Sequence, residues 1–474
     1  MSTSAFPLDE AAARRVLFLQ AHESGATDNP LWTAEDRAWA TRLARESTPV
    51  GAAPQQFLDQ RARHALQRLA PRDAAAARRV ARRGWRAAWV ALALAVGLAA
   101  GVAVDAIGAS QHINLLAPPV WAVIAWNLLV YLGLLVPLPH RARAWLAAWL
   151  AGRAGGSSVM GSFHAAWARH GARLLGARAA LLMHAAALAL ALGLAGGMYL
   201  RGLGLDYRAG WQSTFLDAAQ VHAVLATLLA PAVALTGIAV PDAAALQALR
   251  VMPGVAPVAS AAPWIHLYAT MLALFVVLPR GVLALWAAWR AARLAQRVAL
   301  PLDELYFQRL LREQQGRAAC VQVLPHGAAP SPHALACLQA VLTPSLGSGL
   351  QVSAASATAY GSEEAAAALA PPAGTTLRVA LVDLAATPED DTHGAFVGAL
   401  RRAAPTVPLL VLADETAFRA RFATLPARLA ERRAAWQQWA KAQGVGLVCV
   451  DLAQPELAGV ERALQSALQS ALQA

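Results

Sequence analysis

The chain has 474 residues, 57% of them hydrophobic and 14% charged, against about 25% charged in an ordinary soluble domain. Its 40 basic and 28 acidic residues give a net charge of +12, and every basic residue except Lys441 is an arginine. This composition excludes a disordered chain, a disulfide scaffold and a single soluble domain, and predicts a membrane protein with soluble parts.

The basic surplus belongs to one part of the chain. Residues 1–317 carry 30 basic and 16 acidic residues, whereas 318–474 carry 10 and 12. The arginines flank apolar runs and form no aromatic-rich basic module, which argues for a bilayer as partner and against nucleic acid. Cys320, Cys337 and Cys449 include no C-x-x-C pair. Such a sparse, odd set fits a reducing compartment, with the cysteines as buried fillers.

Residues 1–71 read as a cytoplasmic helical region. Leu8–Glu23 mixes Asp9, Glu10, Arg14 and Arg15 with apolar positions and has no signal-peptide core. Thr33 with Asp36 three residues on is an imperfect capping box, and Gln55–Leu69 follows Pro54. A transmembrane domain is expected over 72–297. Its first span, Ala87–Val104, has eighteen uncharged residues and reaches ~27 Å, enough for a hydrocarbon core. Further spans are expected at 119–138, 179–200 and 261–279.

Arginines 72–86, 141–178 and 280–297 follow or precede these spans, whereas Asp105–Pro118 has none. The positive-inside rule therefore puts both chain ends in the cytoplasm. Val221–Val240 is also uncharged, with His222 near its start and Pro231 in its middle. A fifth crossing would carry the C-terminal domain outside. The expectation is a re-entrant or interfacial segment over 221–240, broken at Pro231 and surrounded by protein.

Residues 298–317 read as an amphipathic connector continuing the last span, with Leu302, Leu305, Tyr306 and Leu310 on one face. From 318 the pattern changes to short apolar runs: Cys320–Leu324, Gln351–Ala354, Leu377–Asp383, Leu409–Asp414 and Leu447–Asp451. Helical patterns lie between and after them, at His333–Leu342, Ala395–Ala404, Arg419–Gln443 and Glu456–Leu472. This alternation predicts a doubly wound parallel sheet, a Rossmann-like cytoplasmic domain over 318–474. The fold class is thus a membrane α-helical bundle of four transmembrane helices plus an α/β domain.

Ligands of such sheets bind beyond the strand carboxyl ends. Asp383, Asp414 and Asp451 sit there, and Glu389, Asp390, Asp391 and His393 crowd the loop after one strand. Together they are the candidate cluster for metal-assisted or acid–base chemistry; capping of turns is the alternative. The loop "LPHGAAPSPHAL" after the first strand lacks the lysine and second glycine of a P-loop. No cofactor or resident metal is expected, and His326 and His333 stand too isolated to be ligands. A candidate outer-face pocket comprises Tyr207, Arg208, Trp211, Asp217 and His222, with an interfacial anchor capped at Ser213 or Thr214 as the alternative. Asn127 and His184 are polar residues within spans, suited to a pathway or to helix packing.

Several segments resemble the proteobacterial membrane-protein family defined by domain of unknown function 2868. They are "EAAARRVL", "DRAWATRLA", "INLLAPPVWAVIAWNLLVYL", "YLRGLGLDYRAGWQSTFLDAAQVHAVL", "WIHLYATMLALFVVLPR" and "PLDELYFQRLL", with a looser match at "LVDLAATPEDDTHGAF" and "LADETAFRARF". The resemblance implies an inner-membrane location and a GTPase-like cytoplasmic partner, and it supplies no catalytic residues. The expected function is a non-enzymatic membrane anchor or scaffold for that partner. A transporter or channel, and a metal-dependent hydrolase in the C-terminal domain, are the alternatives.

Overall fold

The computed structural model describes residues 8–24, 31–49, 51–81, 85–107, 112–116, 118–136, 158–206, 208–251, 259–302, 304–347, 349–422, 425–456, 460, 463–464 and 467–468. Tyr207, Arg141, Arg143, Arg153 and most of the helix expected at Glu456–Leu472 lie outside these residues.

In chain order the elements are α1 Glu10–Glu23, α2 Ala34–Ser47, α3 Pro54–Leu69, α4 Ala74–Ala81, α5 Ala88–Ile107, β1 His112–Asn114, α6 Pro118–Leu135, α7 Val159–His170, α8 Ala172–Gly204, β2 Arg208–Gly210 and α9 Ala218–Thr236. There follow α10 Ala243–Ala248, α11 Ala262–Ala295, α12 Leu305–Gln314, β3 Cys320–Pro325, α13 Pro332–Leu346, β4 Gln351–Ala354 and β5 Thr375–Asp383. The chain ends with α14 Ala395–Ala403, β6 Leu409–Asp414, α15 Thr416–Arg421, α16 Pro426–Ala442 and β7 Gly446–Val450. The chain divides into two compact units. One joins Met1–Ala81, Gly156–Phe163 and Ala299–Ala474; the other joins Arg82–Gly155 and His164–Val298.

In the first unit the N-terminal helices begin where their caps dictate. Asp9 accepts the Ala12 N–H at 2.7 Å, Thr33 and Asp36 form the reciprocal capping box, and Pro54 opens α3. Glu23 and Arg61 are buried together: Arg61 Nη2 donates to Glu23 Oε1 at 2.8 Å and Nη1 to Oε2 at 3.0 Å. Trp32 Nε1 and the Tyr306 hydroxyl also donate to this carboxylate, each at 2.9 Å. Burial opposes ionisation of Glu23, but Arg61 outweighs it and brings the carboxyl down to about 2. Tyr306 stands on α12, so the pair ties residues 1–69 to the segment that leads into the sheet. Phe163 joins the same unit, edge-on to Phe18 at 5.8 Å.

The sheet of this unit has five parallel strands in the order β4-β3-β5-β6-β7. Alternate residues of each strand face opposite layers. Val321, Val323, Val379 and Leu412 pack with Leu338 and Leu342 of α13, whereas Ala380, Val382, Val411 and Ala413 pack with Phe396 of α14 and Trp436 of α16. Helices therefore cover both faces, as a buried parallel sheet requires. The single helix expected at Arg419–Gln443 is two, α15 and α16, because Pro426 starts a new one.

The second unit is helical. Three of its helices are long and apolar enough to cross a membrane: Ala172–Gly204, Ala218–Thr236 and Ala262–Ala295; Ala88–Val104 and Pro119–Leu135 are shorter apolar helices. Their outward side chains are those of a lipid-facing surface, with Leu135 79%, Leu203 85% and Leu285 74% exposed. The last helix runs on to Ala295 instead of stopping at Pro279, through a π segment at Ala273–Val277. It then breaks before α12, so the connector is a separate helix and not a continuation.

Helices α5 and α8 meet at glycine. A Cβ at Gly97 would overlap the Ala186 carbonyl, one at Gly101 the Leu190 carbonyl, and one at Gly193 the Leu98 carbonyl. Backbones this close exclude any side chain. Opposite, β1 and β2 pair in parallel, from His112–Arg208 to Asn114–Gly210, and the buried Tyr268 hydroxyl donates to the Leu115 carbonyl at 2.7 Å.

Helix α9 corrects the expectation for 221–240. It is unbroken at Pro231; the proline costs only the hydrogen bond to the Thr227 carbonyl. The turn lies at Gly237, whose φ of +72° only glycine adopts readily. The chain then returns, and the Pro241 carbonyl comes within 2.8 Å of His222 Nδ1, near the start of the same helix. From His222 to Thr236 the helix rises about 21 Å at ~1.5 Å per residue. Five residues cover at most ~18 Å, so the return is close to fully extended. Ile238 and Val240 pack on the core of the unit.

Two stability measurements follow. Arg61→Ala leaves Glu23 buried and uncompensated, and chemical denaturation of the purified chain should show a loss of roughly 3–5 kcal/mol. Gly101→Leu drives a side chain into the α8 backbone; its cost should exceed the ~1–3 kcal/mol of ordinary overpacking and show as early thermal unfolding.

Candidate functional site

The strand order reverses between β3 and β5, and open parallel sheets take ligands at such a point. A cleft of about 650 Å³ lies there, bounded by the loop from His326 to Ser331 and by Tyr360, Asp383, Asp414 and Thr416. Asp383 and Asp414 are register partners at the ends of neighbouring strands.

These acids are occupied by their own loops. Asp383 Oδ1 accepts the Ala385 N–H at 2.8 Å. Asp414 Oδ1 accepts the N–H groups of Thr416 at 3.0 Å and Leu452 at 3.1 Å. Asp451 Oδ1 accepts that of Ala453 at 3.0 Å. The Thr416 hydroxyl lies 2.6 Å from Asp414 Oδ1 and 3.0 Å from Asp451 Oδ1, so one proton serves two carboxylates. Glu389, Asp390 and Asp391 are exposed, and Asp390 accepts from Gln443 at 2.8 Å. Among the described residues no three His, Cys, Asp or Glu side chains come together as a metal set.

His393 alone of that loop turns inward, and it meets His326. The two rings lie edge to face with centroids 5.2 Å apart. His326 stacks on Phe396 at 4.5 Å and sets Nε2 3.1 Å from Glu363 Oε1. Its backbone N–H continues the strand by donating to the Leu381 carbonyl at 2.9 Å. His393 packs on Trp436 at 4.9 Å, and its Nδ1 lies 3.1 Å from the Thr392 hydroxyl. His326 Nδ1 and His393 Nε2 are buried without a hydrogen-bond partner. Burial lowers both pKa values, and for His393 the neighbouring His326 adds to it, bringing the value to about 4. Both rings are thus neutral near pH 7. No local motif marks His326; its partners lie 37 and 67 residues away in sequence, and only its position just past a strand at the reversal point singles it out.

The cysteines are half-buried and not buried as expected. Burial pushes the Cys449 thiol up to about 12, which makes it inert. Cys337 Sγ lies 3.6 Å from His333 Nε2 on the exposed side of α13.

The outer-face residues take separate roles. Trp211 is fully buried, donates from Nε1 to the Leu246 carbonyl at 2.7 Å and lies under the Arg250 guanidinium. Asp217, not Ser213 or Thr214, caps α9, in a capping box with Gln220. His222 holds the returning chain, and Arg208 pairs with Asp206.

Asn127 and His184 are brought together by a residue taken from sequence as a flank. Arg280 is 4% exposed; its Nε donates to Asn127 Oδ1 at 2.6 Å and its Nη1 lies 2.9 Å from His184 Nδ1. Its guanidinium lies over the Tyr131 ring, whose hydroxyl donates to the Phe275 carbonyl in the π segment at 3.1 Å. The network ties α6, α8 and α11 together, and among the described residues no carboxylate pairs with Arg280.

The His393 value sets a pH dependence. An unfolded imidazole titrates near ~6.5, so between about 4 and ~6.5 the unfolded chain binds the proton more readily. Stability is full above that window and falls as pH drops through it. The melting temperature of the purified chain should decline over this range. His393→Phe should flatten the decline, His326 supplying the remainder.

A family model described as "Protein of unknown function (DUF2868)" matches residues 138–467, more than half of the chain. The chain belongs to that family. No curated protein and no solved structure matches it.

Proposed function

We propose that this family member is a four-span protein of the bacterial inner membrane whose two ends meet in the cytoplasm as a docking scaffold for a soluble partner. The Glu23–Arg61–Tyr306 junction carries the reading. It holds residues 1–81 and 299–474 in one compact unit, and parts of one unit lie on one side of a membrane. Phe163 belongs to that unit too, so the chain crosses an even number of times on either side of it. Helices α5 and α6 supply the first pair, α8 and α11 the second. Helix α9 with its returning strand then enters and leaves by one face, the role its His222–Pro241 contact suits. The arginine-rich flanks put the shared side in the cytoplasm.

The sheet, with its strand order and two covered faces, is read as Rossmann-like. Its strand-end acids are engaged in capping, which favours a docking role over hydrolysis. The partner class is the GTPase-like protein that the family resemblance implies.

Topology and docking have separate tests. A membrane-impermeant maleimide should leave Cys320, Cys337 and Cys449 unmodified in intact spheroplasts and label them after lysis. Labelling from outside would overturn the orientation. Purification of the full chain after in-cell cross-linking should then yield a stoichiometric soluble GTP-binding protein. Recovery of the chain alone would sink the scaffold.

A further inference from the structure

A second cleft of the soluble unit, about 690 Å³, lies between α2 and the segments around Glu313–Ala318 and Thr343–Gly349. Six arginines line it: Arg37, Arg42, Arg45, Arg61, Arg309 and Arg317. The acids on its wall are Glu46 and Glu313, and Glu23 behind it neutralises Arg61. Six positive charges against three negative leave the cleft strongly cationic. Arg309 is held by the Pro344 carbonyl and lies 4.0 Å from Glu313. Arg37, Arg42, Arg45 and Arg317 form no ion pair among the described residues, and Arg37 Nε is buried without a hydrogen-bond partner.

Gathering like charges costs free energy unless an anion completes them. Guanidinium forks match phosphate oxygens in pairs. The volume is that of a small-molecule site, and no aromatic side chain lines the walls to stack a base. We infer that this cleft binds a compact, multiply phosphorylated anion, held by Arg37, Arg42, Arg45 and Arg317 through its phosphate groups. The same chemistry is offered by a soluble polyphosphate ester and by a bis-phosphate lipid headgroup. Because α2 forms one wall and the approach to β3 and the end of α13 form the other, the anion would brace the N-terminal helices against the sheet domain.

Titration calorimetry of the full chain in neutral detergent, with tripolyphosphate as probe, tests this. One equivalent should bind, and Arg42→Ala/Arg45→Ala should weaken binding at least tenfold. Both arginines are exposed, so the variant should melt as the parent does; Arg42→Lys/Arg45→Lys should restore part of the affinity. Arg401→Ala/Arg402→Ala, which removes two exposed arginines elsewhere, should leave it unchanged. Displacement of tripolyphosphate by short-chain cardiolipin identifies a lipid headgroup as occupant; failure to displace it identifies a soluble ester. No binding at millimolar probe overturns the site, as does equal binding by the Arg42/Arg45 variant or equal weakening by the Arg401/Arg402 control.

Discussion

The buried Glu23–Arg61 pair is the constraint on which the rest of the molecule depends. A carboxylate and a guanidinium with side chains 0% and 2% exposed are stable only in each other's company. The two residues lie on α1 and α3, yet their burial is completed by Trp32 and by Tyr306, which is 283 residues beyond Glu23. An interaction that expensive to break makes the two ends of the chain one body. Every helix between them must respect that closure.

The helical unit answers with an arrangement built from backbone proximity and from one buried cation. Glycine at 97, 101 and 193 lets α5 and α8 touch without side chains. Arg280 gathers the polar atoms that apolar helices would otherwise leave unsatisfied. The turn at Gly237 lets α9 end without carrying the chain across.

Much of this architecture was legible in local pattern. Gln351–Ala354 and Leu409–Asp414 are strands at the residues where their apolar runs begin and end, and Thr33 caps α2 as its spacing with Asp36 implies. Pro231 was misleading, because an apolar helix tolerates one lost hydrogen bond whereas Gly237 provides a conformation that other residues resist. The Gly97–Gly101 spacing was readable as a packing motif, but not which helix it would meet. The polar centres were the least legible. Arg280 and Asn127 are 153 residues apart, and His326 and Glu363 37 apart, so no window of sequence contains them. The strand-end acids looked catalytic by position, yet nearby N–H groups claim their oxygens before any ligand can.

Synthesis proceeds from the N-terminus, and this gives the closure an order in time. Helices α1 and α3 leave the ribosome early, with Glu23 and Arg61 already able to find each other. Tyr306 emerges only after the last apolar helix has been made. Until then the ion pair has an open flank, and the first eighty residues wait half-assembled while the intervening helices are threaded into the bilayer. The final latch is thus also a checkpoint: a nascent chain whose hairpins insert with the wrong parity delivers Tyr306 to the other side, and its N-terminal helices never close.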